Sequence, residues 1–305
     1  MIFRAPVGLP PTVRAGAPAV VLAGGVGVPA RKWAGVVAKL DDAHGPATDP
    51  IAWTVVERPG LGRRGGHRFG DVPDFADETA RLVHDLRRCR DAGASPVILV
   101  AHSAAGFLAE AAVRSNPGLV DGVLLLDVSV VEDAGESSGV FESLSHAAGL
   151  AVEPLVRWAW PAMQRGELSS LLLENAVFPR WARALGELRA ADEAVGGAGV
   201  ARSARAVGAV TAITDVVAVP KRQLCTADAA AVVAGLPGRE AHLRVWRDLS
   251  GHDNDGEHDG ESGGAASLRE VILAPCSHMV MTRRPADVAA QITALISRAS
   301  RNGAA

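Results

Sequence analysis

The chain has 305 residues, 48% of them hydrophobic, and a formal net charge of −3 at pH 7. That length and apolar content suit one α/β domain carrying an inserted subdomain, and the near-balanced charge removes the electrostatic case for nucleic acid or an anionic membrane surface. The three cysteines, Cys89, Cys225 and Cys276, are odd in number with none at CxxC spacing, which argues against a disulfide framework or zinc knuckle and fits a reducing cytosol.

The opening residues, MIFRAPVGLPPTVRAG, contain an early arginine and paired prolines but no continuous apolar run. They do not read as a signal peptide or anchor, so a soluble, cytoplasmic protein is expected. Pro18 to Ala23 then reads as a buried strand, Ala30 to Leu40 as a helix and Ile51 to Val56 as a second strand. An amphipathic helix follows from Phe75 to Ala92, a third strand from Pro96 to Ala101, a helix from Ala104 to Arg114 and a fourth strand from Val120 to Leu126. Short apolar strands alternating with helices predict a mostly parallel, doubly wound α/β sheet. From about Val128 to Val210 the pattern turns mostly helical, with Trp158, Trp160 and Trp181, and predicts a cap inserted over 129–210 between core segments 1–128 and 211–305. Strands are expected again at Val216–Thr226 and Arg269–Ala274, with a closing helix over Pro285–Ser297. The acidic, glycine-rich stretch Ser250–Ser267 reads as a solvated loop. His252 and His258 within it do not follow calcium-loop spacing, and no metal or cofactor is expected.

The most informative stretch is PVILVAHSAAGFLAEAAVRSNP, where a buried strand passes at once into a helix through Ala101-His102-Ser103-Ala104-Ala105. This resembles the G-x-S-x-G nucleophile elbow of α/β-hydrolases, with alanine at both glycine positions. A turn this sharp exposes the serine hydroxyl and tolerates only small neighbours. The alternative is a serine N-cap on an ordinary crossover helix. Upstream, Ala23-Gly24-Gly25-Val26-Gly27 with Trp33 beyond it is similar to the family's oxyanion loop, although the usual His-Gly is missing. It does not match the dinucleotide pattern G-x-G-x-x-G. Glu57 to Gly62 is similar to a structural turn that follows the next strand in the family.

Near the C-terminus, VILAPCSHMVMTRRPADVAAQI resembles the family's last strand, histidine loop and final helix, with Ser277-His278 in place of Gly-His. The resemblance implies Ser103 as nucleophile, His278 as general base, and the Gly25 and Ala104 amides as oxyanion donors. Two carboxylates remain open for the acid: Asp127, which ends the VLLLD strand, and Asp228, which follows QLCTA. Gly24, His102, Trp158 and Trp160 are expected to line the substrate site, with helix packing as the other reading of the tryptophans. The implied activity is hydrolysis of an ester-like bond in a small, apolar substrate through an acyl-enzyme, without a cofactor. C–C bond hydrolysis, small-substrate peptidase activity, or silent ligand binding on the same scaffold are the alternatives. The sequence sets no oligomeric state.

Overall fold

The computed structural model describes residues 13–25, 28–44, 51–56, 74–128, 181–191, 210–214, 268–272 and 279–302, with the single positions 194, 246 and 249. The first four strands stand where the sequence predicts them: β1 (Ala19–Ala23), β2 (Ala52–Val55), β3 (Val97–His102) and β4 (Gly122–Leu126). β6 (Leu268–Ile272) overlaps its expected position. β5 is Val210–Thr214, at the boundary where the expected helical region ends and the core segment resumes. The predicted strand at Val216–Thr226 lies outside the described residues, and the strand that joins β4 to β6 comes before it in sequence.

All five pairings are parallel, in the order β2-β1-β3-β4-β5-β6. The chain leaves β1 outward to β2, then returns past β1 to form β3. Such a reversal leaves a crevice outside the carboxyl ends of the two strands that flank it. Gly24-Gly25 follow β1 and Ser103 follows β3, so the topology alone brings two distant motifs to one crevice.

Strand alternation divides the core. Ala19, Val21, Ala23, Val97, Leu99, Ala101, Val123 and Leu125 face α2 (Phe75–Asp91) and α3 (Ala105–Ser115). Val20, Leu22, Ile98, Val100, Leu124 and Leu126 face α1 (Ala34–Ala43), α4 (Val280–Arg283) and α5 (Pro285–Asn302). Covering both faces is why these strands read as unbroken apolar runs. The helix expected from Ala30 starts as a 3-10 turn over Ala30–Trp33 before α1 begins.

α2 is well terminated. The Asp74 carboxylate accepts from the Ala76 and Asp77 amides at 2.9 and 3.1 Å, the usual N-cap device. At the other end Gly93, with φ +82°, lets its N–H reach the Arg90 carbonyl and that of Ala94 reach the Cys89 carbonyl. This is a Schellman stop, which needs the left-handed glycine.

Residues 181–191 are helical. Trp181 and Leu185 are buried in the α2/α3 cluster, and the Trp181 ring meets Phe75 edge-on at 6.0 Å. This part of the expected cap therefore packs into the core beside the sheet.

Candidate active site

Ser103 stands one residue beyond β3 with φ +55° and, against the expectation of an exposed hydroxyl, is fully buried, because β4 and the start of α3 close around the turn. A non-glycine residue in that region costs about 1–3 kcal/mol and persists only where its surroundings impose it. Two hydrogen bonds do so. The Ser103 N–H donates to the Leu126 carbonyl at 3.2 Å, and the Ser103 carbonyl accepts from the Gly106 N–H at 2.9 Å. The N-cap of α3 is Ala104, whose side chain can cap nothing. Ser103 precedes that N-cap and is left-handed, so it is not an ordinary helix cap. Its own N–H is engaged with β4, and Ala104 supplies the first amide of the elbow beyond it.

Ala101 and Ala105 are both fully buried, so methyl groups fit where the family pattern has glycine. The position that cannot carry one is Gly106, where an added Cβ would come within 2.8 Å of the Val128 Cβ. Pattern reading of the sequence does not find this pair. The available signal is the small-residue run Ala104-Ala105-Gly106, which needs a close neighbour to account for its last member.

Asp127 stands at the tip of β4 with φ +42°. Among the described residues, the two non-glycine residues of positive φ are Ser103 and Asp127. His102 pairs with Leu126 in register, so these two are the next residues on adjacent strands, whose axes lie about 4.8 Å apart. Aspartate tolerates the left-handed region better than most residues; serine has less excuse. Both residues make further interactions.

On the β1 side, the Val28 N–H donates to the Gly25 carbonyl at 3.2 Å and closes a turn. A Cβ on Gly24 would stand 3.0 Å from the Val28 side chain, so any larger residue there would have to push Val28 aside. His102 is fully buried, and alternation gives it the face of Ile98 and Val100. His278, Asp228, Trp158 and Trp160 lie outside the described residues. Met279, bonded to His278, is buried in the same cluster as Val28 and Trp33. β5 ends at Thr214 and is followed in sequence by Asp215, a carboxylate that the sequence pattern hides by pointing to a later strand.

Behind the elbow, Glu110 of α3 is buried and held by three guanidinium contacts. Arg189 Nε and Nη2 reach its two carboxylate oxygens at 2.8 Å each, and Arg114 Nε lies at 2.9 Å. Burial alone would raise its pKa, but the Arg189 hydrogen bonds and charge, with Arg114, hold the carboxyl below its ordinary range. Cys89 is the opposite case: burial first, then the charge of Asp85, push its thiol up to about 12. A thiol so seldom ionised is structural rather than nucleophilic. Among the described residues no group of His, Cys, Asp or Glu could hold a metal, and no helix is long and apolar enough to cross a membrane.

The chain folds like several solved hydrolase-fold structures at low identity. A Pseudomonas aeruginosa protein described as an epoxide hydrolase superposes with a TM-score of 0.56 at 12% identity, covering 99% of each chain. Cfl2 from Burkholderia cenocepacia gives 0.53 at 15% identity, over 93% of this chain and 89% of the other. MenH from S. aureus gives 0.51 at 10%, over 94% and 96%. At such identities the likeness concerns the fold alone. No curated protein matches the sequence. The sequence model of the alpha/beta hydrolase family matches residues 20–291, nearly the whole length, and the chain belongs to that family.

Proposed function

We propose that this chain is a serine hydrolase in which Ser103 attacks an ester-like carbonyl of a small, apolar substrate. The observation that carries the reading is the left-handed Ser103 at the tip of β3, beside the sheet's topological reversal. In the proposed reaction His278 takes the hydroxyl proton as the Ser103 oxygen adds to the carbonyl carbon. The amides of Ala104 and Gly25 receive the oxyanion, and His278 returns the proton to the leaving group. Water, deprotonated by the same imidazole, then releases the acid from the acyl-enzyme.

Two facts favour His278 as the base. Met279, its neighbour in the chain, is buried with Val28 at the end of the glycine turn. The seven residue steps from Ile272 to Met279 can span about 23 Å, more than the roughly 14 Å that separates β6 from β3 across the sheet. For the acid we favour Asp127, because its strained backbone stands next to that of Ser103 in register. Asp228 and Asp215 are the rivals. The segment between β4 and β5 would supply the acyl pocket, with Trp158 and Trp160 as apolar lining.

A fluorophosphonate probe and a series of p-nitrophenyl esters of increasing chain length test the reading. Expected are labelling of the wild type, its loss in Ser103→Ala and His278→Ala, and a fall in kcat on the order of 10⁶-fold for Ser103→Ala. Asp127→Asn should lose far more activity than Asp228→Asn or Asp215→Asn. A wild type that stays unlabelled, while binding a hydrophobic ester analogue, would establish the silent-binder alternative. Turnover of a C–C substrate with none of the esters would move the assignment to that class.

A further inference from the structure

The glycine turn and the histidine-bearing segment are joined on the α1/α5 side of the sheet. The 3-10 turn Ala30–Trp33 packs directly on α4, and α1 packs on both α4 and α5. Trp33, Val28, Met279, Val280 and Met281 are all buried in one apolar cluster. One step further along, Gly35 lies so near the start of α5 that an added Cβ would meet the Pro285 Cβ at 3.1 Å. The Trp33 indole N–H is buried and has no hydrogen-bond partner among the described residues. A buried donor without an acceptor costs stability, so what this side chain contributes is its volume and flat contact area rather than a polar bond. Val28 is at once the residue that closes the glycine turn and a member of this cluster. Met279 is at once the neighbour of His278 and a member of it.

We infer that Trp33 and the Gly35–Pro285 contact are positioning elements that set the spacing between the oxyanion amide of the glycine turn and the base at His278. The inference rests on the proposed serine-hydrolase reading. Interiors are close-packed and transmit small volume changes to their neighbours. A cavity at Trp33 lets the two segments approach, and a methyl at Gly35 drives them apart. Either change shifts the base relative to the oxyanion site without touching substrate. A misplacement near 1 Å can cost about 10²-fold in rate.

The experiment compares Trp33→Leu, Trp33→Phe and Gly35→Ala with Val83→Ala, a core truncation in α2 on the far face of the sheet. Each is measured below its melting transition for kcat, KM and the rate of fluorophosphonate inactivation. Trp33→Leu and Gly35→Ala are expected to lower kcat and the inactivation rate roughly 10- to 100-fold with little change in KM. Trp33→Phe should recover much of that loss, and Val83→Ala should keep kcat within about twofold despite lower stability. If the two seam variants keep wild-type kcat, or if Val83→Ala loses as much as they do, the positioning role is overturned. Hydrogen exchange gives a readout that does not need activity. Trp33→Leu should raise exchange in Gly24–Val28 and in Met279–Arg283 together, and loosening confined to one of the two segments overturns the coupling. A wild type that the probe never labels refutes the serine-hydrolase reading instead, and the seam is then judged on exchange alone.

Discussion

The two faces of the sheet are built differently. The α2/α3 face buries Glu78, Asp85 and Glu110 among its apolar residues, together with Thr54 of β2 and the thiol of Cys89. The α1/α5 face is lined by aliphatic side chains, methionines and Trp33, with His102 entering it only at the strand tip. The first face adds buried charge pairing to its apolar contacts, with Arg189 held on Glu110 of α3, whereas the second relies on apolar packing with a part-buried hydrogen bond between His44 and Thr293 at the end of α1. A buried ion pair is costly to half-break but seldom the most stable solution. A close-packed apolar wall tolerates conservative trimming and responds to it gradually.

The largest effect should come from breaking the charge cluster. Glu110→Gln leaves Arg189 and Arg114 facing each other without their carboxylate, and should cost about 3–5 kcal/mol, read as a lower denaturant midpoint. The same residue supplies a pH test. Its folded pKa lies below the ordinary value of 4.5, so its stabilisation is complete above that value and is lost as pH falls through it toward the folded pKa. Wild type and Glu110→Gln should therefore converge in stability on acidification; a gap that stays constant down to about pH 3 would mean that Glu110 is not held ionised. Replacing Glu110, Arg114 and Arg189 together by Leu, Met and Met should come out near neutral or stabilising, which would mark the cluster as a device for specificity.

Gly106→Ala ranks next. The 2.8 Å approach to Val128 must open, at a cost of about 1–3 kcal/mol, and activity should fall further than stability because Asp127 precedes Val128. A melting shift with unchanged kcat would detach Asp127 from the reaction. On the opposite face, Ile292→Val in α5 should cost only about 0.5–1.5 kcal/mol and leave the acid dependence as in wild type. Losing as much there as at Glu110 would erase the contrast between the faces.

Much of the core was readable because both faces of a parallel sheet demand unbroken apolar strands, and PAVVLA, IAWTVV, PVILVA and VDGVLLL offer little else. Ser103 was readable because a buried strand that meets a helix through nothing but small residues forces a sharp turn at the residue between them. β5 was not. VTAIT is short, sits amid Ala-, Gly- and Arg-rich sequence and has its apolar run broken by two threonines, while the later VVAVPKRQLCT opens on an unbroken apolar run. Pairing to β4 and β6 on either side decided the matter, and the carboxylate after the strand changed with it. The burial of Glu110 is not legible in local pattern either. In an isolated helix a glutamate belongs outside, but α3 is buried from Ala105 to Val113, and Arg189, arriving from 79 positions away, joins Arg114 in making that burial bearable.

By itself, then, the order of residues determined the first four strands, the helices between them and which hydroxyl is set at a turn, since those outcomes depend on local pattern and backbone sterics. The tertiary structure decided which strand tips become neighbours, which charges can be buried, and which glycines are obligatory. These depend on partners distant in sequence, and the free energy of a contact exists only once both of its sides are in place.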